Sequence, residues 1–305
     1  MPISQSDTST VKETMIDFSQ CRKINTLAFG GNNGLKVAVE YLGVPYMLKF
    51  APHPKNTQEL SYTNSCISEH IGCNIFNMLG IPAQETVLGV FVRNGKQQTV
   101  VACKDFTSEN KVLLEFAKIK NSVLDSTHGG QGLDLEDVLM AIDDQDFFDP
   151  QIMKQRFWQM FVVDAYIGNF DRNNSNWGLL VNQDTKSIEL APVYDCGGCL
   201  YPQLNDESMA NILRDKKEIE NRIFVFPNSI YKQQNKKINY KEFLTASADS
   251  VCREMLKTIT ANIDEERVNV FIDSMENISA TRKNFYKTML HYRKIWILDA
   301  ALKGE

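Results

Sequence analysis

From Asp149 the chain reads DPQIMKQRFWQMFVVDAYI and then, with no spacer, GNFDRNNSNWGLL. Asp149-Pro150 joins an N-cap acid to a first-turn proline, so a helix starts there. Its second half is apolar on nearly every side, and such a helix needs other elements packed all around it. Gly168 ends it. The polar residues that follow at once are Asn169, Asp171 and Arg172, groups costly to bury unless partnered. Yet apolar runs flank them, Met160-Phe161-Val162-Val163 before and Leu179-Leu180 after. A polar loop anchored between two core segments is where function concentrates.

Beyond that loop, Trp177 to Val181 and Ile188 to Tyr194 read as a hairpin across Asn182-Gln183-Asp184. With the turn centred near Asp184, Asn176 falls roughly opposite Val193 and close to Asp195, because paired strands sit about 4.8 Å apart. Asp171 lies in the loop just before. An acid, an amide and a second acid therefore converge at one end of a hairpin. Hard oxygen ligands of this kind suit Mg²⁺. In kinases, the Asp that accepts the substrate proton is followed along the loop by an Asn that holds a metal, and a later Asp-x-Gly supplies a second ligand. Asp171, Asn176 and Asp195-Cys196-Gly197 stand in that order. The plainer reading is that all three cap turns.

The remaining parts of such a site can be sought upstream. A Gly/Asn cluster, Gly30-Gly31-Asn32-Asn33-Gly34, precedes a β-forming run from Lys36 to Tyr41. Gly43-Val44-Pro45 turns the chain into a return strand, Tyr46 to Phe50. A helix follows from about Gln58 to Leu79, with Ile67, Ile71, Ile75 and Met78 at helical spacing and a stop at Gly80-Ile81-Pro82. Strands near Thr86 to Arg93 and Thr99 to Cys103 are joined by Asn94-Gly95, a strong hairpin signal. Glycine backbone amides approach phosphate closely. Lys49 is charged within the otherwise apolar stretch Met47-Leu48-Lys49-Phe50. Glu69 shares a helix face with Cys73 and Phe76. A Lys49–Glu69 ion pair accounts for both charges, against the plainer readings of a snorkelling lysine and a surface acid.

After Asp105 the pattern turns helical, with an amphipathic stretch from Leu133 to Ile142 and an acidic, solvated connection through Asp143, Asp144, Asp146 and Asp149. Residues from about 207 to 305 read as mostly helical, ending in a long helix from about Ala280. Its basic face (Arg282, Lys283, Lys287, Arg293, Lys294) reads as solvated, with partner docking as the sharper alternative. Asp164, inside the apolar helix, is expected to hydrogen-bond the polar loop or a helix end. Residues 1 to about 20, rich in Ser and Thr, read as a loose tail. The 305 residues suffice for two lobes with a real core. A formal net charge of −5 argues against nucleic acid as the main ligand. Seven scattered cysteines read as reduced thiols of a cytosol-like compartment, Cys196 and Cys199 included, with half a zinc site or a redox pair as the alternative for those two. There is no signal-peptide layout and no run long enough to span a membrane, which leaves export without a cleaved signal open.

Taken together, FGGNNGLKVAV, YMLKF, SYTNSCISEHIGCNIFNMLGIP, VVACKDF, GNFDRNNSNWG and APVYDCGGCLYP, in order from residue 29 to 203, resemble the HipA-like Ser/Thr protein kinases, within them the CtkA branch of cell-translocating kinases. The resemblance implies an α+β, two-lobed protein-kinase-like fold, with a small β-rich N-lobe carrying one main helix and a larger, mostly helical C-lobe. Lobe boundaries follow at 21–106 and 107–305, behind a tail at 1–20. It implies ATP and Mg²⁺ as cofactors and Ser/Thr phosphorylation, including autophosphorylation. Asp171 takes the catalytic position, Asn176 and Asp195 the metal positions, and Lys49, with Glu69, the nucleotide-lysine position. Gly30, Gly31, Asn32, Asn33 and Gly34 would cover the phosphates. Cys103, Lys104, Asp105 and Phe106 fall where a hinge meets adenine. The implied acceptor is a Ser or Thr hydroxyl of a protein, including the chain itself, with an antitoxin or host protein as a further partner. Three departures stand out: Asn173 replaces the family's frequent His, no Ala-Pro-Glu segment is present, and the glycine cluster has no Ser. A lipid or small-molecule alcohol kinase, or a nucleotide-binding pseudokinase scaffold, are the alternatives that the same core permits.

Overall fold

The computed structural model describes residues 15–24, 36–51, 63–124, 129–276 and 278–305. The glycine cluster at 30–34 and the Ser/Thr positions at 4–10 lie outside the described residues. Strand-forming runs dominate the chain as far as Lys104. β1 (Ile16–Asp17), β2 (Arg22–Lys23), β3 (Lys36–Tyr41), β4 (Val44–Phe50), β5 (Thr86–Arg93) and β6 (Lys96–Lys104) form a six-stranded sheet in the order β1-β5-β6-β4-β3-β2. Between β4 and β5 runs α1 (Ser65–Met78), packed against β5 and β6. The β5–β6 turn has Asn94 at φ 50° and Gly95 at φ 71°, and Arg93 pairs with Lys96 across it. Two positive φ values in a two-residue turn match the twist of the flanking strands, which is why Asn-Gly was so clear a signal.

Alternation along the strands gives the sheet two apolar faces. One holds Val39, Leu48, Phe50, Phe91, Val100 and Ala102 around Phe18. The other carries Val101 and Cys103 into the large core shared with α1. Ile16–Asp17 pair in parallel with β5 and Phe18, in the 3₁₀ turn that follows, is fully buried, so residues 16–20 are held against the sheet and are not part of the loose tail read over 1–20. A single aromatic anchor outweighs the polar composition around it.

The second lobe contains β7 (Lys111–Glu115), α2 (Phe116–Leu124), α3 (Leu135–Asp144), α4 (Pro150–Ile167), β8 (Gly178–Asn182) and β9 (Ile188–Leu190). It continues through α5 (Asp206–Arg214), α6 (Lys216–Phe224), β10 (Lys232–Gln233), β11 (Lys236–Lys237), α7 (Tyr240–Ala246), α8 (Ser250–Asn262), α9 (Glu265–Ser274) and α10 (Ala280–Arg293). A π-helical turn, Lys294–Asp299, then leads into α11 (Ala300–Lys303). The helix α4 is the hub. Asp149 caps it by accepting from Gln151 N and Ile152 N, Gly168 closes it at φ 65°, and α3, α8 and α10 pack on it. Among the described residues, no helix is long and apolar enough to cross a membrane.

Two expectations need correction. The chain after Asp105 is not helical at once, because Lys111–Glu115 pairs antiparallel with β8 and completes a three-stranded sheet, β7-β8-β9. The hairpin register is as expected, with Leu179 opposite Leu190 and Val181 opposite Ile188. However, β9 stops at Leu190 and does not reach Tyr194. Val193 leaves to bridge Ala83, donating to Pro82 O at 2.8 Å and accepting from Gln84 N at 2.8 Å. That bridge ties the end of the hairpin to the β5 side of the first lobe.

Candidate active site

The polar loop after α4 is organised from beneath by the helix that precedes it. Asp164, buried at 1 % exposure, accepts from Asn169 Nδ2 at 2.9 Å and from Arg172 Nε at 3.0 Å and Nη2 at 3.2 Å. Asn169 Oδ1 in turn accepts from Asp171 N at 3.2 Å. Burial and the Asp164 carboxylate act in opposite directions on Arg172, and the carboxylate holds its guanidinium well above the ordinary range. Arg172 also donates to Asn176 O at 3.2 Å, to Tyr194 O and to Cys196 Sγ at 3.2 Å. One buried guanidinium therefore fixes the loop that carries Asp171 and Asn176 against the segment that carries Asp195. Asp164 was expected to serve the polar loop, and it does so through Arg172 and Asn169.

Asn176 Nδ2 donates to Asp171 O at 2.7 Å. A backbone carbonyl only accepts, so the amide is oriented and its Oδ1 is left as the acceptor. Asn173, in the position where His is frequent, accepts from Ser175 N at 2.9 Å through its Oδ1. The loop is therefore braced locally without a His. The Asp171 carboxyl is pushed above its ordinary range, by burial first and by Asp195 second, with Asn173 and Arg172 opposing. A carboxylate with raised proton affinity is suited to accepting a proton.

Lys49 Nζ lies 2.9 Å from Glu69 Oε1 and 3.0 Å from Asp195 Oδ1. Glu69 Oε1 also accepts from Asp195 N at 3.1 Å. Glu69 is 1 % exposed and Lys49 mostly buried, whereas the Asp195 side chain is about half exposed, at 47 %. Burial disfavours the Lys49 ammonium, but Asp195 and then Glu69 hold it well above its ordinary range. Lys49 in turn holds the Asp195 carboxyl below its ordinary range. Asp195 sits at φ 58°, a left-handed conformation that Asp tolerates better than most residues. The glycines after it are packed close. A Cβ on Gly198 would lie 2.8 Å from Asn169 Oδ1 and 3.0 Å from Asp171 Cβ, and one on Gly197 would lie 3.3 Å from Glu69 Oε2.

The residues read as a hinge continue β6 toward the second lobe. Cys103 is fully buried; Lys104 N donates to Glu85 O at 2.9 Å and Asp105 N to Pro45 O at 3.0 Å. The Lys104 carbonyl accepts from Gln84 Nε2 at 3.0 Å, and Asp105 Oδ1 accepts from Thr107 N at 2.8 Å. The Phe106 ring lies 5.6 Å from that of Tyr194, tilted by 39°, next to Asp195. Ala38 and Met47 are paired across β3 and β4, and Met47 also pairs with Cys103, so these side chains share the face that carries Lys49. Period-two counting back from Lys49 reaches Met47, so that signal was in the sequence. Arg172 and Asn169 gave none, since each is one polar residue among many in its loop.

Asn176 Oδ1 and the Asp195 carboxylate are the donors fitted to a hard cation. An amide oxygen plus one half-exposed carboxylate is the sparse set Mg²⁺ accepts when phosphate oxygens supply the rest. Cys196 and Cys199 point inward instead. Cys199 Sγ donates to Ser68 O at 3.2 Å, and a Cβ on Gly72 of α1 would lie 2.6 Å from Cys196 Cβ. All seven cysteines are free thiols. Cys66 and Cys73 are buried in the packing of α1.

No family model matches the chain. It is 43 % identical over 287 residues, 94 % of its length and 87 % of the relative, to the serine/threonine-protein kinase CtkA of Helicobacter pylori strain J99. The crystal structure of the H. pylori proinflammatory kinase CtkA superposes with a TM-score of 0.89, covering 95 % of this chain and 97 % of that one, again at 43 % identity. HipA of Shewanella oneidensis MR-1, solved with HipB and operator DNA, shares the fold at a TM-score of 0.50 and 13 % identity, over 96 % of this chain and 76 % of the other.

Proposed function

Because the chain belongs to the CtkA family of serine/threonine protein kinases, we propose that it transfers phosphate from ATP·Mg²⁺ through Lys49, Asp171, Asn176 and Asp195. The observation that carries this reading is the convergence on Lys49. Its ammonium contacts Glu69, 20 residues away, and Asp195, 146 residues away, at 2.9 and 3.0 Å. Lys49 neutralises charge on the nucleotide phosphates, and Glu69 keeps it aimed into the cleft. Asn176 and Asp195 would hold Mg²⁺, which when bound offsets charge on the phosphate oxygens. Asp171 orients the acceptor hydroxyl and takes its proton. In this class of reaction positioning and electrostatics supply most of the acceleration.

The N–H groups of Lys104 and Asp105 are engaged within the sheet, so adenine is read by the backbone of Phe106, over Ala38 and Met47. Gly30, Gly31, Asn32, Asn33 and Gly34, outside the described residues, are assigned to phosphate binding by the family resemblance alone. In this reading the lobes divide at 106–107. The acceptor is a Ser or Thr hydroxyl of a protein. The chain's own Ser4, Ser6, Thr8, Ser9 and Thr10 are the first sites to map, and an antitoxin or host protein is the acceptor in trans. Seven free thiols support a cytoplasmic compartment.

The experiment is incorporation of labelled phosphate from ATP·Mg²⁺ into the purified protein, a generic basic protein and an alcohol and phosphoinositide panel. Wild type, Asp171→Ala and Asp195→Ala are run in parallel, with mass spectrometry of each product. Protein labelling by wild type alone is expected. Labelling of lipid or small alcohol only, or ATP binding with no transfer at any Mg²⁺ or Mn²⁺ concentration, would overturn the proposal.

A further inference from the structure

Lys36 opens β3 and pairs directly with Lys49 across the β3–β4 ladder. Residues directly opposite in an antiparallel pair project to the same face, with Cβ atoms about 4.5–5.5 Å apart. Lys36 is therefore presented to the cleft beside Lys49. The next pair on that face, two residues along the ladder toward the β3–β4 turn, is Ala38 with Met47, both apolar. One face of two strands thus changes from apolar to doubly cationic in a single step of about 6.8 Å. Like charges directly opposite each other weaken a ladder. Here the pair shares its surroundings with Asp195 and Glu69, the acids that already hold Lys49. Burial, and then the Lys49 charge, push the Lys36 ammonium below its ordinary range, while Asp195, Cys103 and Glu69 pull it back. Two lysines against two acids leave the cluster formally neutral. A polyanion that met Lys49 alone would also meet the Asp195 and Glu69 carboxylates; a second lysine offsets that repulsion.

We propose that Lys36 is a second phosphate-binding lysine of this site, meeting the nucleotide's phosphate chain from β3 as Lys49 does from β4. This rests on the nucleotide reading given above. Ala38 and Met47 would contact the base, and Lys36 and Lys49 the phosphates, so the two pairs separate affinity for the nucleoside from affinity for its charge.

The test is calorimetric titration of wild type, Lys36→Met, Lys36→Arg and Lys49→Met with ATP·Mg²⁺ and with adenosine. A charge-assisted contact to phosphate implies roughly tenfold weaker ATP binding in Lys36→Met. Adenosine affinity should stay within about twofold, and Lys36→Arg should recover most of the ATP affinity, since it keeps the charge. In turnover assays the same loss should fall on KM for ATP more than on kcat. If Lys49→Met loses ATP affinity and Lys36→Met does not, the second lysine is refuted and the site stands. Equal losses for ATP and adenosine in Lys36→Met would assign it a structural role and likewise refute the proposal. If neither substitution affects ATP binding, the nucleotide reading itself fails and the inference with it.

Discussion

Asp164→Asn keeps the shape of the buried pair under the polar loop of Asp171 and Asn176 and removes only its negative charge. Arg172, 3 % exposed, would then be a buried cation without its counter-charge. One of its contacts, at 3.0 or 3.2 Å in wild type, would also become donor against donor. Removing one partner of a buried pair costs about 3–5 kcal/mol, a large part of a typical total of about 5–15 kcal/mol. Unfolding entropy near 2.1 cal/mol/K per residue gives about 0.64 kcal/mol/K for 305 residues. The expected fall in Tm is therefore about 5–8 °C. Glu189→Gln is the control, since it breaks an exposed pair with Lys111 and should move Tm by no more than about 1 °C. Thermal melting at pH 7 with phosphate-transfer rates on the same samples makes the assay. Arg172 also holds the carbonyls of Asn176 and Tyr194, so kcat should fall as well. Misplacement by about 1 Å is enough for roughly a hundredfold loss. The double variant Asp164→Leu/Arg172→Met removes both charges and should recover much of the Tm but none of the rate. An Asp164→Asn protein that melts within 1 °C of wild type at full rate would refute the account of how this loop is held.

Asp171→Asn should raise Tm at pH 7 while abolishing transfer. The raised carboxyl binds its proton more readily in the folded chain than in the unfolded one. Its charged form therefore costs stability above the raised value, and that cost vanishes as pH falls below the ordinary Asp value near 3.9. The gain should accordingly disappear in melts near pH 3.5; a variant less stable than wild type at pH 7 would contradict the sign. Gly198→Ala should keep the fold but lower kcat at least tenfold, because its Cβ would lie 3.0 Å from Asp171 Cβ; unchanged kcat would show that the contact relaxes freely. Phosphopeptide mapping after incubation with ATP·Mg²⁺ should find modification among Ser4, Ser6, Thr8, Ser9 and Thr10 that Asp171→Ala lacks, and an unmodified tail in an active enzyme would remove that assignment.

What could be read from the sequence, and what could not, divides on a physical line. Lys49 and Glu69 could be read because a charge among apolar neighbours must have a partner, and the structure brings them to 2.9 Å. The hairpin register could be read from its turn, and continuing the observed pairs places Asn176 opposite Val193. The strands part before that point, since Val193 bridges Ala83 instead, and it is Arg172, donating to Asn176 O and Tyr194 O, that ties the two segments together. β7 could not be read, since Lys111 to Glu115 is a short run whose period does not separate strand from helix. Only its partner β8 decides it, and that partner lies some 65 residues along the chain.

The basic face of the last helix makes the same point about function. By composition, Arg282 and Arg293 belong to a solvated face, yet they are 6 % and 0 % exposed. Arg282 donates to Asp206, to Leu204 O and to Tyr286. Arg293 donates to Ala165 O at 2.7 Å and lies over the ring of Tyr240, whose hydroxyl bonds Asn169 O at 2.5 Å. A Cβ on Gly168 would lie 3.3 Å from Arg293 Nε. Through Arg293, α10 therefore grips the end of α4 where the polar loop begins. An arginine that serves a backbone carbonyl has no partner side chain to betray it in the sequence. Lys49 and Glu69 are legible because each is charged against apolar surroundings, whereas Arg293 is concealed because its hydrogen bonds go to the main-chain carbonyls of Ala165 and Arg222.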